Sequence, residues 1–168
     1  SVIKKRVEFL TAYQNAAYAD GYATLVKQVR DRENTLGLGQ KLSMAVAKSY
    51  FKLLAYKDEY EVARLYTDGR FVEQLQQQFE GNFSVKFNLA PPLFAKKDAK
   101  GHLVKAEFGS WMWRAFKLLA KAKGLRGGSF DIFGYTAERK MERALIVEYR
   151  ELLAGLLLNL TAENLATC

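Results

Sequence analysis

The chain is poor in the residues that carry metal and redox chemistry. Its 168 residues include one histidine, His102, and one cysteine, Cys168. A zinc site needs several His, Cys or carboxylate ligands at fixed spacing, and no His/Cys pair at ligand spacing exists here. Four-cysteine iron–sulfur ligation within this chain is excluded. A Ser-His-Asp arrangement would have only His102 to use, and His102 stands beside Gly101 in a turn-like stretch. His102 reads as an exposed polar residue. With one cysteine an internal disulfide is excluded, which fits a cytoplasmic setting. Long apolar runs are also missing. The longest candidate, "LLAGLLLNL" at 152–160, is far short of a membrane span. The start, "SVIKKRVEFL", is basic, but its apolar positions are interrupted too often for a signal peptide.

What is present is the balance of a globular protein, 49% hydrophobic and 26% charged. The length fits one domain with a sizeable core, and no linker or repeat divides it. The end, "LTAENLATC", reads as the start of a further helix capped by Thr161, as expected of a fragment cut from a longer polypeptide.

Helical periodicity fills the first third. Val2, Ile3, Val7, Leu10, Tyr13 and Ala17 share a face, and Tyr22, Leu25, Val26 and Val29 resume it after a break expected at Asp20-Gly21. Residues 31–40 read as a loop. A long helix is then expected from Leu42 into the charged stretch "LLAYKDEYEVARLYTDGRF" at 53–71. There Lys57 and Glu61 are four apart, Glu61 and Arg64 three apart, and Tyr60 and Arg64 four apart, the spacings at which helix side chains support one another. Paired carboxylates do acid–base work only in a cleft that shifts their pKa values. Each acid here has a basic neighbour, so the stretch reads as scaffold: a charge-laced outer face with Tyr56, Tyr60 and Ala63 inward. Asp68-Gly69 breaks it, and a shorter helix follows with Phe71, Val72, Leu75 and Phe79 inward.

The middle changes period. Phe83, Val85, Phe87 and Leu89 alternate as in a strand, until Pro91-Pro92 ends it. "LFAKKDAKGHLVKAEF" reads as a hairpin with strands near 93–96 and 102–107, its tip turning at Gly101. A helix is expected from Ser110 through Trp111, Phe116, Leu118 and Leu119 to a C-cap at Gly124. After the loop "LRGGSFDIFGY", a last helix capped by Thr136 runs through Met141, Leu145, Tyr149, Leu152 and Leu153. The expected fold is α+β, mainly helical, with a small antiparallel element around 83–107.

Charge is concentrated. The net charge is +8, and residues 96–126 alone carry +7, with nine Lys/Arg against two acids. Such a segment is either a solvated face or a surface for an acidic or phosphate-bearing partner. The hairpin is expected to project Lys96, Lys97, Lys100 and Lys105 into solvent. "KAKGLRGGS" at 121–129 lacks the phosphate-loop pattern and follows a helix C-terminus, the pole that repels anions. Arg126 with the neighbouring glycine amides remains a candidate anion-binding nest. Trp111 and Trp113 beside these cations leave a basic nucleic-acid-binding module as the alternative reading.

The blocks "LAYKDEYEVARLYTDGRF", "FNLAPPLFAKKDAKGHLVKAEFG", "KGLRG" and "FGYTAERKMERALI" resemble the C-terminal region of the long, fused form of indolepyruvate ferredoxin oxidoreductase, and the resemblance runs from "VEFLTAYQNAAYA" onward. It implies a parent that oxidatively decarboxylates arylpyruvates, passing the acyl group to coenzyme A and electrons to ferredoxin. It also implies thiamine diphosphate, magnesium and iron–sulfur clusters bound upstream of this region. None of those motifs occurs here, so the resemblance assigns no catalytic, cofactor or metal residue to this chain. It implies an accessory domain serving assembly or partner docking. The partners to expect are the rest of the parent, ferredoxin or the phosphates of coenzyme A. The candidate docking residues are Lys96, Lys97, Lys100, Lys105 and Arg126.

Overall fold

A computed structural model describes residues 2–81, 83–89, 100–102 and 104–164. Among them are seven α-helices and one two-stranded antiparallel sheet, so the fold is mainly helical α+β. The chain groups into two compact units. One combines Ser1–Tyr56 with Thr136–Cys168, and the other is Lys57–Tyr135. The second unit is thus inserted in the sequence of the first. No linker marks the crossings, because each falls beside a helix N-cap, Asp58 at one and Thr136 at the other.

The first unit holds α1 (Val2–Tyr13), α2 (Ala16–Thr35), α3 (Lys41–Leu54) and α7 (Ala137–Asn159). The break expected at Asp20-Gly21 lies instead at Gln14–Asn15. The Asn15 side chain accepts from the Tyr18 N–H at 2.9 Å and so begins α2 as its N-cap. Gly21 sits within α2, whose other contacts absorb the roughly 1 kcal/mol a helical glycine costs relative to alanine. The loop is shorter than expected, only 36–40, with Gly37 and Gly39 at positive φ. A buried carboxylate explains how the next helix starts without a capping side chain of its own. Glu33, wholly buried near the end of α2, accepts from the backbone N–H groups of Leu42 and Ser43 at 2.7 and 2.9 Å. These are two of the donors a helix start leaves without partners.

Tyrosines organise this core. Tyr22 stacks on Tyr50 and Tyr50 on Tyr149, with centroids 6.0 and 5.7 Å apart. Leu10, Val26, Val29, Val46, Ala47, Leu54, Ile146 and Leu153 are among the buried residues of the same core. The hydroxyls of Tyr18 and Tyr13 donate to the carbonyls of Leu54 and Tyr56 at 2.9 and 2.8 Å. Those carbonyls lie at and just beyond the end of α3. The single long helix expected from Leu42 through the charged stretch is therefore two helices: α3 stops at Leu54, and α4 (Glu59–Thr67) restarts at Asp58, whose side chain accepts from the Glu61 N–H at 2.8 Å. Thr136 caps α7 as expected, accepting from the Arg139 N–H. Of the apolar α7 positions named from the sequence, Leu153 is buried and Tyr149 half-buried, while Met141, Leu145 and Leu152 are exposed. Thr161 accepts from the Asn164 N–H, and the remainder of the expected terminal helix lies outside the described residues.

The second unit holds α4, α5 (Arg70–Gln78), β1 (Phe87–Leu89), β2 (Ala106–Phe108), α6 (Met112–Lys121) and a 3-10 turn, Ala122–Leu125. Its core joins Ala63 of α4 to Met112 and Phe116 of α6 and to Phe87. Tyr66 stacks on Phe116 at 5.3 Å, with the edges of Phe71 and Phe87 against it. Alternation from Phe83 overstates the strand, which spans only Phe87–Leu89. Its partner is β2, in the register Phe87↔Phe108 and Leu89↔Ala106. The expected strand at 93–96 lies outside the described residues. Gly101 has the positive φ foreseen for it. The helix expected to end at Gly124 tightens into the 3-10 turn after Lys121. Phe79, expected inward, is exposed, as is Leu118 on α6, and α5 buries none of its residues fully.

Candidate functional site: a buried ionic cluster

The charged stretch that reads as an outer face is not one. In α4, Tyr60 and Ala63 are buried as expected, but so are the charged Glu61 and, in front of the helix, Asp58. Arg64 grips Glu61 with two hydrogen bonds, Nε to Oε2 and Nη2 to Oε1, each 2.8 Å. The Glu61–Arg64 spacing is therefore used as the sequence foresaw, but away from water.

The second pair joins distant segments. Arg126, directly after the 3-10 turn, donates from Nε and Nη2 to the two oxygens of Asp58, the latter at 2.9 Å. Its guanidinium carbon lies 5.5 Å from the Tyr60 ring centroid, a cation–π approach. The Tyr60 hydroxyl donates to Asp131 Oδ1 at 3.1 Å. Asp131, also buried, accepts from Gly127 N at 2.7 Å and Gly134 N at 3.0 Å. The ring of Phe133 meets Tyr60 edge-on at 5.5 Å.

The electrostatics follow from this packing. Burial, and then the neighbouring Asp131 carboxylate, raises the Tyr60 phenol well above the ordinary tyrosine value. Lys123 is shifted downward, first by desolvation and then by the guanidiniums of Arg64 and Arg126. Each named acid in this cluster is matched by a cation or by N–H and O–H donors, as buried charges require. The arrangement holds α4, the 3-10 turn and the loop to Tyr135 in fixed register.

Arg126 is accordingly removed from the candidate docking residues: it is buried and committed to Asp58. The nest reading changes with it, because the Gly127 amide is taken by the chain's own Asp131. Lys100 and Lys105 are exposed as foreseen, and Lys96 and Lys97 lie outside the described residues. Exposed cations continue along α6 with Arg114, Lys117 and Lys121. Asp58 and Asp131 were missed. Asp58 followed by Glu61 has the three-residue spacing of a capping box, and Asp131 among glycines has the composition of a side-chain-closed turn. Among the described residues no group of three or more His, Cys, Asp or Glu is placed to hold a metal ion, and no helix is long and apolar enough to cross a membrane.

Fold and cluster together define a mainly helical α+β protein with a small two-stranded sheet and an ion-paired interior in its inserted unit. The chain belongs to a family of unknown function, DUF6537, which matches it over residues 1–168. No curated protein and no solved structure matches it.

Proposed function

We propose that this chain is an accessory, non-catalytic domain of a cytoplasmic indolepyruvate (2-oxoacid) ferredoxin oxidoreductase, and that it docks an acidic partner, with ferredoxin the first candidate. The observation that carries the docking role is the contrast within the inserted unit. Its interior acids are engaged with Arg64, Arg126 and the loop amides, while Lys100, Lys105, Arg114, Lys117 and Lys121 are exposed. Cations on a surface steer an acidic protein to it and make the encounter salt-dependent. The parent's identity rests on the sequence resemblance. In this reading thiamine diphosphate, magnesium and iron–sulfur clusters are bound by other parts of the parent.

Titration of the chain with a small acidic ferredoxin, followed by calorimetry, tests this. Binding is expected to weaken about tenfold between low and physiological ionic strength. Absence of binding at low salt contradicts the reading. Tighter binding to a single-stranded oligonucleotide, with a steep salt slope, would support the nucleic-acid alternative instead.

A further inference from the structure

The loop that follows Arg126 is fixed from within and apolar on the outside. Three donors converge on the buried Asp131 carboxylate: the amides of Gly127 and Gly134 and the hydroxyl of Tyr60. Successive turns close as Gly128 N–H to Leu125, Asp131 N–H to Gly128 and Gly134 N–H to Asp131 carbonyls. The Tyr135 hydroxyl donates to the Ser129 carbonyl at 2.8 Å, and Arg126 pins the start of the loop to Asp58. The two neighbours of this anchored aspartate face water. Phe130 is 80% exposed and Ile132 59%, with Tyr135 at 60%.

Single exposed apolar residues need no explanation. Two large ones flanking a buried, triply bonded carboxylate do. Holding an apolar side chain in place before binding removes the ordering cost that a mobile tip carries. A rigid aromatic in that position has the character of an interface anchor. The α6 helix and 3-10 turn lead directly into this loop, and α6 presents Arg114, Lys117 and Lys121. We infer that residues 125–135 are the apolar anchor of the docking surface, seating Phe130 and Ile132 in an apolar recess rimmed by carboxylates on a partner protein. The inference rests on the docking reading above and adds to it the residues that hold the partner once charge has brought it near. The exposed cations of α6, which precedes the loop in sequence, complement an anionic rim. Ile132, aliphatic and branched, offers no face for base stacking, which favours a protein recess over nucleic acid.

The test uses the whole 168-residue chain, with ferredoxin as the acidic probe, at low and high salt. Phe130→Ser combined with Ile132→Ser changes only exposed side chains, and an unchanged melting temperature verifies the fold. Affinity is expected to fall about tenfold or more at both salt concentrations, since apolar contact is not screened. Lys117→Glu with Lys121→Glu should lose affinity mainly at low salt. Asp131→Asn keeps Phe130 and Ile132 but loosens the loop, so it should weaken binding by a smaller factor and speed hydrogen exchange at Gly127 and Gly134. If the wild-type chain binds and the Phe130/Ile132 variant binds equally well, the inference is overturned and the docking reading stands. If the wild-type chain does not bind ferredoxin, both fall. A single-stranded oligonucleotide that binds the wild type and loses affinity in this variant overturns the assignment of a protein partner.

Discussion

Arg126 and Asp58 meet across 68 residues of sequence, Nη2 to Oδ1 at 2.9 Å, with their side chains 2% and 3% exposed. The carboxylate does two things at once. It caps α4 through the Glu61 amide, and it neutralises the guanidinium that begins the anchored loop. Removing either partner leaves a buried charge behind. Asp58→Ala or Arg126→Met alone is therefore expected to cost about 3–5 kcal/mol in urea denaturation. The double variant Asp58→Leu/Arg126→Met should recover most of that, keeping a deficit of about 1 kcal/mol from the lost cap. Additive losses would show that the two side chains do not act as a pair.

Tyr60 links the same cap to Asp131. Truncation to alanine removes a buried aromatic and should cost on the order of 3 kcal/mol. The phenol also predicts a pH dependence. An unfolded tyrosine ionises near pH 10, at about the model-peptide value, whereas the folded protein holds the Tyr60 proton to higher pH. Above that point the folded state binds more protons than the unfolded one, so stability falls as pH rises. Tyr22 and Tyr149, raised mainly by burial, add to the same trend. In Tyr60→Phe the decline above pH 10 should be shallower, as read from urea midpoints across the alkaline range. An unchanged slope would show that Tyr60 is not the group held protonated.

Glu33 offers a third check, in the first unit. Its two oxygens receive the first amides of α3. Glu33→Gln puts an amide NH2 where one backbone donor expects an acceptor, which should cost about 1–3 kcal/mol in thermal unfolding. A wild-type melting temperature would mean that the α3 start is satisfied in some other way.

Periodicity located most helices, and turn chemistry located Thr136, Asp68-Gly69 and Gly101, because those features depend on a few neighbouring residues. The remaining differences have two causes. Spacing shows which side chains share a helix face but not what that face meets. Glu61 and Arg64 have the pattern of a solvated pair, yet their side chains are only 6% and 13% exposed. Leu118 and Leu152 have the pattern of core residues, yet they are exposed. Asn15, Asp58 and Asp131 bear local signals that apolar periodicity does not weigh. Glu33 has none: its role depends on α3 folding back so that its first amides meet a carboxylate nine residues earlier.

In the proposed docking role, the chemistry of the proposed parent belongs to other segments. The purified chain should show no indolepyruvate-dependent reduction of a viologen dye. Turnover by the chain alone would contradict a non-catalytic role.

Electron delivery by the proposed parent oxidoreductase tests the docking role most directly. Lys100→Glu and Lys105→Glu, introduced together, reverse two exposed charges of the inserted unit. Ferredoxin reduction should slow about tenfold at low ionic strength and recover toward the wild-type rate as salt screens the surface. Reduction of a small neutral dye in the same preparations should be unaffected. Equal effects on both acceptors, or on neither, would contradict the docking role and leave these cations as solvated surface.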